Sequence, residues 1–177
     1  MIILMGKPGA GKGTQADLLT QGEVYASVNP GGLLRAAAKD DPSIAATMNA
    51  GKLVEPEIIY RLIEASFNRY GKQRIILDNF PRNQEQARWL KAHLDKNPPE
   101  KIELIILDIS DDEVFRRLAK RGRPDDNESA IRTRLGLFNN EVQKAISLLS
   151  DVLTPVKVDA LGSVEEVHDR LIKALQS

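Results

Sequence analysis

The segment from Gly6 to Thr14 limits what this chain can fold into more than any other stretch. It reads Gly6-Lys7-Pro8-Gly9-Ala10-Gly11-Lys12-Gly13-Thr14, between the apolar run Ile2-Ile3-Leu4-Met5 and the helical pattern Gln15-Ala16-Asp17-Leu18-Leu19. In a strand–turn–helix unit, glycines let successive backbone N–H groups converge on one point, and the start of the helix adds partial positive charge there. The segment therefore predicts a phosphate-binding loop at the start of an α/β fold.

The side chains of this loop indicate what it would bind. Lys12 supplies a full charge on a mobile stem, and the Thr14 hydroxyl suits a magnesium ion. We expect the loop to hold the β-phosphate of a nucleoside triphosphate through Gly9, Ala10, Gly11, Lys12, Gly13 and Thr14. The alternative is a glycine-rich turn that binds nothing. It is disfavoured because the strand, the glycine spacing, the lysine and the hydroxyl agree.

Composition and charge exclude several kinds of protein. A chain of 177 residues suits one domain, here residues 1–177. Its 25 Lys and Arg side chains balance 25 Asp and Glu, so bulk electrostatic binding to nucleic acid or a membrane surface is not expected. The lack of cysteine excludes disulfides and a cysteine zinc site. No apolar stretch approaches the length of a bilayer span, and we expect a cytoplasmic monomer.

Apolar runs of strand length alternate with helical patterns along the chain. The predicted strands are Ile2–Met5, Val24–Val28, Arg74–Asp78, Glu103–Ile109 and Val156–Val158. The predicted helices are Gln15–Thr20, Leu33–Lys39, Pro42–Ala50, Glu57–Tyr70, Asn83–Leu94, Asp111–Lys120, Asn127–Ser150 and Ser163–Leu175. Continuous Ile and Leu runs are typical of strands buried on both faces, so the alternation predicts a doubly wound, five-stranded parallel sheet flanked by helices. The three helices between the second and third strands predict an insertion that clamps a second substrate.

Two further residues carry expectations of their own. Asp78 follows the apolar run Ile75-Ile76-Leu77, and a carboxylate in that place binds magnesium in phosphate-loop enzymes, often through water. The alternative is an aspartate that caps the next turn. Trp89 stands beside Leu90 in an amphipathic helical pattern, which favours packing over ligand stacking.

Several segments together resemble adenylate kinases. Asp78-Asn79-Phe80-Pro81-Arg82, followed by Gln86-Ala87, is similar to the family's Asp-Gly-Phe-Pro-Arg and Gln-Ala. Gly31-Gly32-Leu33-Leu34-Arg35 resembles Gly-Asp-x-Leu-Arg, and Gly51-Lys52-Leu53-Val54 resembles Gly-x-Leu-Val. The arginine set matches at Arg117, Arg121, Arg123 (before Asp125-Asp126) and Arg134. The resemblance covers essentially the whole chain and implies a P-loop NTPase fold with a short lid.

The resemblance also implies an activity and a set of roles. The reaction would be reversible, magnesium-dependent phosphoryl transfer from ATP to AMP, giving two ADP, with no zinc. Residues 29–60 would form the helical insertion that binds the monophosphate, and residues 121–126 the short lid. The catalytic residues would be Lys12, Arg82, Arg121, Arg123 and Arg134. ATP would bind at the phosphate loop, Arg117 and Arg121, and AMP at Asn29, Gly31, Arg35, Val54, Asn79, Arg82, Gln86, Arg123 and Arg134. Magnesium would bind at Thr14 and Asp78.

The arginines suit this chemistry on physical grounds as well. Phosphoryl transfer needs little covalent chemistry from a protein, but it needs several negative oxygens neutralised in a water-poor site. Arginine stays charged and donates in pairs. Arg117 and Arg121 are four residues apart on one predicted helix, hence on one face. Arg123 lies between Gly122 and Pro124, where that helix cannot continue. The alternative is that these arginines form a solvated face.

Three residues depart from the family pattern, and all are expected on the monophosphate side. Pro30 stands where a threonine is usual, Gly32 where an aspartate is usual and Asn79 where a glycine is usual. A side chain at position 79 could clash with the usual nucleotide or contact a different one. The departures keep two alternatives open, a kinase of another monophosphate such as UMP or CMP and a non-catalytic ATP-binding regulator. Gln86 favours AMP, because UMP/CMP kinases usually carry asparagine there.

Overall fold

Five parallel strands form one sheet in the computed structural model, which describes residues 1–22, 24–49, 54–96, 98–121 and 127–176. The strands are β1 (Ile2–Gly6), β2 (Ala26–Val28), β3 (Ile75–Asp78), β4 (Glu103–Asp108) and β5 (Pro155–Asp159), in the order β2-β3-β1-β4-β5. Ile2 of β1 lies in register with Ile76 of β3 on one side and Glu103 of β4 on the other. The predicted fold class is therefore confirmed.

Helices connect the strands and cover both faces of the sheet. Their bounds are α1 (Lys12–Thr20), α2 (Pro30–Ala37), α3 (Pro42–Asn49), α4 (Pro56–Tyr70), α5 (Gln84–Lys96), α6 (Asp111–Arg121), α7 (Glu128–Leu137), α8 (Gln143–Ser150) and α9 (Val164–Gln176). A short 3₁₀ turn, Lys72–Arg74, precedes β3. Helices α2, α3 and α4 all lie between β2 and β3 in the chain, where the alternation of the sequence is interrupted.

The central strand divides the interior into two cores. Every residue of β1 is buried, and because side chains alternate across a strand, its residues serve both faces. Ile3 and Met5 pack with residues of α4, α5 and α8 on one face. Ile2 and Leu4 pack with residues of α1, α6, α7 and α9 on the other. Burial on both faces explains why β1, β3 and β4 read as unbroken apolar runs.

The sheet topology defines where a ligand can bind. The central strand has β3 on one side and β4 on the other, so the chain leaves β1 toward one edge and later crosses to the opposite edge. In such sheets the crevice for ligands lies beyond the carboxyl ends of the strands, where the strand order reverses. Gly6 and Asp78 end the neighbouring strands β1 and β3 at that edge.

Three helix predictions differ from the structure, and the first is the helix predicted for Gln15–Thr20, which begins at Lys12. The long helix predicted for Asn127–Ser150 is present from Glu128 to Ser150, but a π-helical turn, Phe138–Val142, separates its α-helical parts, α7 and α8. Phe138 and Val142, at the two ends of that turn, are both buried, and apolar spacing alone does not distinguish such a turn from continuous α-helix. Helix α2 begins at Pro30 rather than Leu33, because proline fits the first helical position.

Some predicted features fall outside the described residues. They are most of the lid at residues 121–126, including Arg123, and the turn at residues 50–53. Within the described ranges, no helix combines the length and apolar character needed to cross a membrane.

Candidate active site

The glycine-rich segment leaves β1 as a tight loop that lies against β4 and α6. A Cβ added to Gly6 would lie 2.5 Å from the Leu107 carbonyl oxygen, so no other residue fits there. Gly9 has a φ of +78°, and its α-carbon faces the side chain of Leu118. Lys7 ties the loop to the β4–α6 connection, because its Nζ donates to the Ile109 carbonyl at 2.8 Å and pairs with Asp111 Oδ1 at 2.7 Å.

The ammonium group of Lys12 lies within the curve of this loop. Its Nζ donates to the carbonyl oxygens of Gly6 at 2.8 Å and Lys7 at 2.9 Å. Burial lowers the pKa of Lys12 from its ordinary value to about 8, against the opposing effect of the nearby Asp78 carboxylate. A phosphate group that accepted a hydrogen bond from this ammonium would favour its charged form.

Asp78 ends β3 beside the loop, and its two carboxylate oxygens differ in their surroundings. The residue is 7% exposed. Oδ2 accepts a hydrogen bond from Asn29 Nδ2 at 2.7 Å, whereas Oδ1 is buried without a hydrogen-bond partner. A buried carboxylate oxygen without a donor is costly unless a ligand, a cation or water satisfies it. This oxygen is therefore a candidate contact for a bound cation or its water shell.

Arg82 is held by the segment that follows β3. Its Nε donates to the Asn79 carbonyl at 3.0 Å, and its backbone N–H donates to Gln86 Oε1 at 2.8 Å. With its amide oxygen facing the guanidinium, the Asn79 side chain also accepts from Arg82 Nη2 at 3.0 Å. Asn79 has a φ of 60°, a left-handed conformation in which glycine is free of strain. The side chain that we expect to meet a nucleotide therefore also contacts Arg82.

A cleft of about 640 Å³ brings many of the predicted site residues together. Those on its wall are Gly9, Gly11, Lys12, Gly13, Thr14, Asn29, Asp78, Asn79, Arg82, Arg117, Arg121 and Arg134. The predicted site residues that do not line it are Ala10, Gly31, Arg35, Val54 and Gln86. The four arginines on the wall come from the β3–α5 connection, α6 and α7, which are distant in the sequence. The fold therefore concentrates positive charge beside a loop suited to phosphate.

A second, smaller cavity of about 340 Å³ adjoins the loop on the side of α9. Arg117 lines both cavities. Its guanidinium is fixed by Glu113 Oε1, 2.6 Å from Nε, and by the Ala160 carbonyl, 2.7 Å from Nη2. Sequence reasoning did not find the residues that close this cavity, which are Gly162, Ser163, Val164 and Val167. Their position after the last parallel strand, at the carboxyl edge of the sheet, is the signal that could have identified them.

Arg35 lies away from the cleft wall but close to the first turn of its own helix. Its Nη1 is 3.4 Å from the position that a Cβ on Gly31 would occupy. A side chain at position 31 would therefore crowd the guanidinium. The atom closest to that position is Asn29 Oδ1, at 3.2 Å.

A phosphate loop at the carboxyl edge of a parallel sheet, a buried aspartate on the next strand and converging arginines define a phosphate-loop nucleotide kinase. Comparison with known proteins identifies the family. The family model of adenylate kinase matches residues 4–152. The chain belongs to the adenylate kinase family, and such a protein is a phosphotransferase.

Individual relatives match over nearly the full length of both chains. The chain is 36% identical over 180 residues to the adenylate kinase of Parasynechococcus marenigrum strain WH8102, covering 98% of this chain and 97% of the relative. It is 34% identical over 178 residues to the adenylate kinase of Corynebacterium aurimucosum, with coverage of 98% and 97%. The adenylate kinase of Corynebacterium glutamicum strain R is 34% identical over 179 residues, with 98% of each covered.

Proposed function

We propose that the chain catalyses reversible phosphoryl transfer from ATP to AMP, giving two ADP. One observation carries the proposal: a single cleft joins the phosphate loop to Asn79 and Arg82, with Asp78 between them. A donor phosphate at the loop and an acceptor phosphate at Arg82 would share this space. Holding both in one cleft replaces a bimolecular encounter with an aligned, effectively unimolecular step.

In the transfer, the bond from the γ-phosphorus to the bridging oxygen of ATP breaks as a bond to an oxygen of the AMP phosphate forms. The protein needs to align the two nucleotides and neutralise the oxygens of the moving group. We assign Lys12 and the backbone N–H groups from Gly9 to Thr14 to the donor phosphates. Arg121, Arg123 and Arg134 would contact the moving group, and Arg82 would hold the acceptor.

The residues present fit a magnesium ion that binds together with nucleotide. Within the described ranges, no group of three or more His, Asp or Glu side chains could form a metal cage of its own. Mg²⁺ typically keeps several waters and binds through one or two protein oxygens and the substrate phosphates. Asp78 and Thr14 both line the cleft, and the unpartnered, buried Oδ1 of Asp78 and the hydroxyl of Thr14 are oxygens of the kind that fit that pattern. When bound, the ion would neutralise charge on the phosphate oxygens.

The two nucleotides are assigned to different parts of the site. We place the ATP base in the smaller cavity beside Arg117, which is fixed there by Glu113 and Ala160. The AMP side would comprise Asn29, Gly31, Arg35, Val54, Asn79, Arg82 and Gln86, with residues 29–60 as the monophosphate-binding insertion. Residues 121–126 would form the short lid. The cytoplasmic location and monomeric state stay predictions.

The acceptor is the part of the proposal that most needs an experiment. Three residues, Pro30, Gly32 and Asn79, differ from the family pattern. The named relatives are adenylate kinases, which does not favour a UMP/CMP kinase or a non-catalytic ATP-binding regulator. The test is a coupled ADP-production assay with Mg-ATP and each of AMP, dAMP, CMP, UMP and GMP. We expect AMP to give the highest kcat/KM. Binding of ATP without turnover of any monophosphate would contradict the proposal.

A further inference from the structure

Asn29 makes two hydrogen bonds in opposite directions from one side chain. It follows β2 and caps α2, where its Oδ1 accepts from the Gly32 N–H at 3.1 Å. Its Nδ2 donates to Asp78 Oδ2 at 2.7 Å and lies 3.5 Å from the Asp78 carbonyl oxygen. Reversing the amide would place oxygen against carboxylate and nitrogen against N–H, so both bonds fix its orientation.

This arrangement links a helix terminus to the buried carboxylate of the cleft. Because α2 holds the oxygen of the amide, its nitrogen cannot turn away from Asp78 without breaking the helix cap. Because the nitrogen holds Oδ2, the carboxylate cannot rotate freely, and Oδ1 remains as its oxygen without a partner. Asp17, the other carboxylate on the cleft wall among the residues that the structure describes, is exposed on α1.

We propose that Asn29 is a positioning residue for Asp78. Its amide orients the carboxylate so that Oδ1 faces the hydrated divalent cation that accompanies the nucleotide. This inference rests on the proposed function for the identity of the reaction. Asn29 contacts no reacting atom in it. The amide is neutral, so it orients the carboxylate without reducing its charge, and a hydrogen bond between an amide and a carboxylate is among the stronger ones in proteins.

A change to serine separates helix capping from carboxylate positioning. In Asn29→Ser the hydroxyl can still accept from the Gly32 N–H, since serine is as good a helix cap as asparagine. Its side chain is one bond shorter and has no amide group to reach Asp78. We expect a thermal midpoint close to that of the parent and a half-saturating Mg²⁺ concentration raised about ten-fold, equivalent to about 1.4 kcal/mol.

A change of Asn29 to aspartate should increase the stabilisation of the protein by a divalent cation, whereas the change to serine should weaken cation binding. Asn29→Asp keeps an oxygen for the helix cap and places a second carboxylate beside Asp78. We expect it to melt below the parent without metal, because two close carboxylates repel. Mn²⁺ with ATP should then raise its melting temperature by more than it raises that of the parent. Asn127→Ser is the matched control, because Asn127 caps α7 through Ala130 and is the same exchange at another cap.

Two of these measurements distinguish a failure of the proposed phosphoryl transfer from a failure of the proposed role of Asn29. Melting with and without Mn²⁺, and the electron paramagnetic resonance line width of Mn²⁺ with ATP and protein, need no turnover. If the parent phosphorylates no monophosphate, the proposed function fails, while a broader Mn²⁺ signal in Asn29→Ser still supports the role of Asn29. If Asn29→Ser matches the parent in Mg²⁺ dependence and in the Mn²⁺ spectrum, the inference about Asn29 is overturned.

Discussion

At the scale of single residues, the structure explains one of the three departures from the family pattern, Asn79, by a local contact. Asn79 adopts a φ of 60° and its side chain contacts the guanidinium of Arg82. A Cβ on Gly32 would meet no atom closer than 3.9 Å, so the absence of a side chain there is not forced by packing. The same helix turn is capped by Asn29, whose second bond reaches Asp78. Nothing in the structure explains proline rather than threonine at position 30 beyond its fit to the first helical turn.

Two substitutions of Asn79 separate its backbone from its side chain. Asn79→Gly removes the contact with Arg82 but suits the left-handed backbone, whereas Asn79→Ala removes the same contact and adds strain of about 1–2 kcal/mol. We expect the glycine variant to be the more stable of the two in urea unfolding. Both should show a similar rise in KM for AMP. A KM that rises only in the alanine variant would mean that the contact with Arg82 has no effect.

The lowered pKa of Lys12 predicts that ATP binding takes up protons in alkaline solution. In the protein without nucleotide, the pKa of the Lys12 ammonium is about 8. A bound phosphate favours the charged form of this group, so bound ATP should raise that pKa. Below pH 8 the group is charged in both states and uptake is small. Above it, up to about one proton should bind per ATP. Calorimetry in buffers of different ionisation enthalpy measures this uptake, which should disappear in Lys12→Arg if Lys12 is its source.

Replacing one of the arginines that we assign to the transferred phosphoryl group should slow turnover. We expect Arg121→Ala and Arg134→Ala each to lower kcat by on the order of 10³. Arg132→Ala is the control: Arg132 lies on the same helix as Arg134, but it is exposed and pairs with Glu128 at 2.7 Å. Losses of ten-fold or less in both site variants would show that these arginines do not contact the transferred group.

At the scale of elements, periodicity and breaker residues predict much of the fold, and their failures have physical causes. The runs around Ile76 and Leu104 are apolar throughout, because their strands are covered on both faces, and they read correctly as parallel strands. The helix predicted through Phe138 is present, but the sequence does not predict the π-helical turn inside it, because that turn keeps apolar residues at a spacing that resembles α-helix. Trp89 was correctly predicted to pack, since it stacks on Tyr60 of α4 with ring centres 4.4 Å apart.

This stack offers a probe of the proposed insertion. Trp89 is the one tryptophan of the chain, and it joins α5 to α4 through Tyr60. If the insertion moves when AMP binds, the emission of Trp89 should change on addition of AMP and respond less to ATP. Tyr60→Leu keeps an apolar contact but removes the ring, so it should reduce the response. If the emission spectrum does not change at a saturating concentration of AMP, a movement of α4 is contradicted.

At the scale of the whole molecule, the candidate site is an assembly that sequence reasoning could predict in part. The phosphate loop was identified from residues adjacent in the chain, because one turn contains its donors. The arginines were grouped through resemblance, and only the fold brings Arg82, Arg121 and Arg134 to one cleft. The smaller cavity, closed by the segment around Ser163, was missed, because nothing in that segment's composition distinguishes it from an ordinary turn.

The anchoring of the glycine-rich loop has a kinetic consequence. Gly6 lies against the Leu107 carbonyl, and Lys7 is bonded to the Ile109 carbonyl and Asp111, so contacts with the rest of the fold hold the loop that we propose as the binding site of the donor phosphates. Little ordering entropy remains to be lost on capture. Encounter with ATP should therefore be a single fast phase in stopped-flow mixing, and any slower phase would belong to the partner nucleotide.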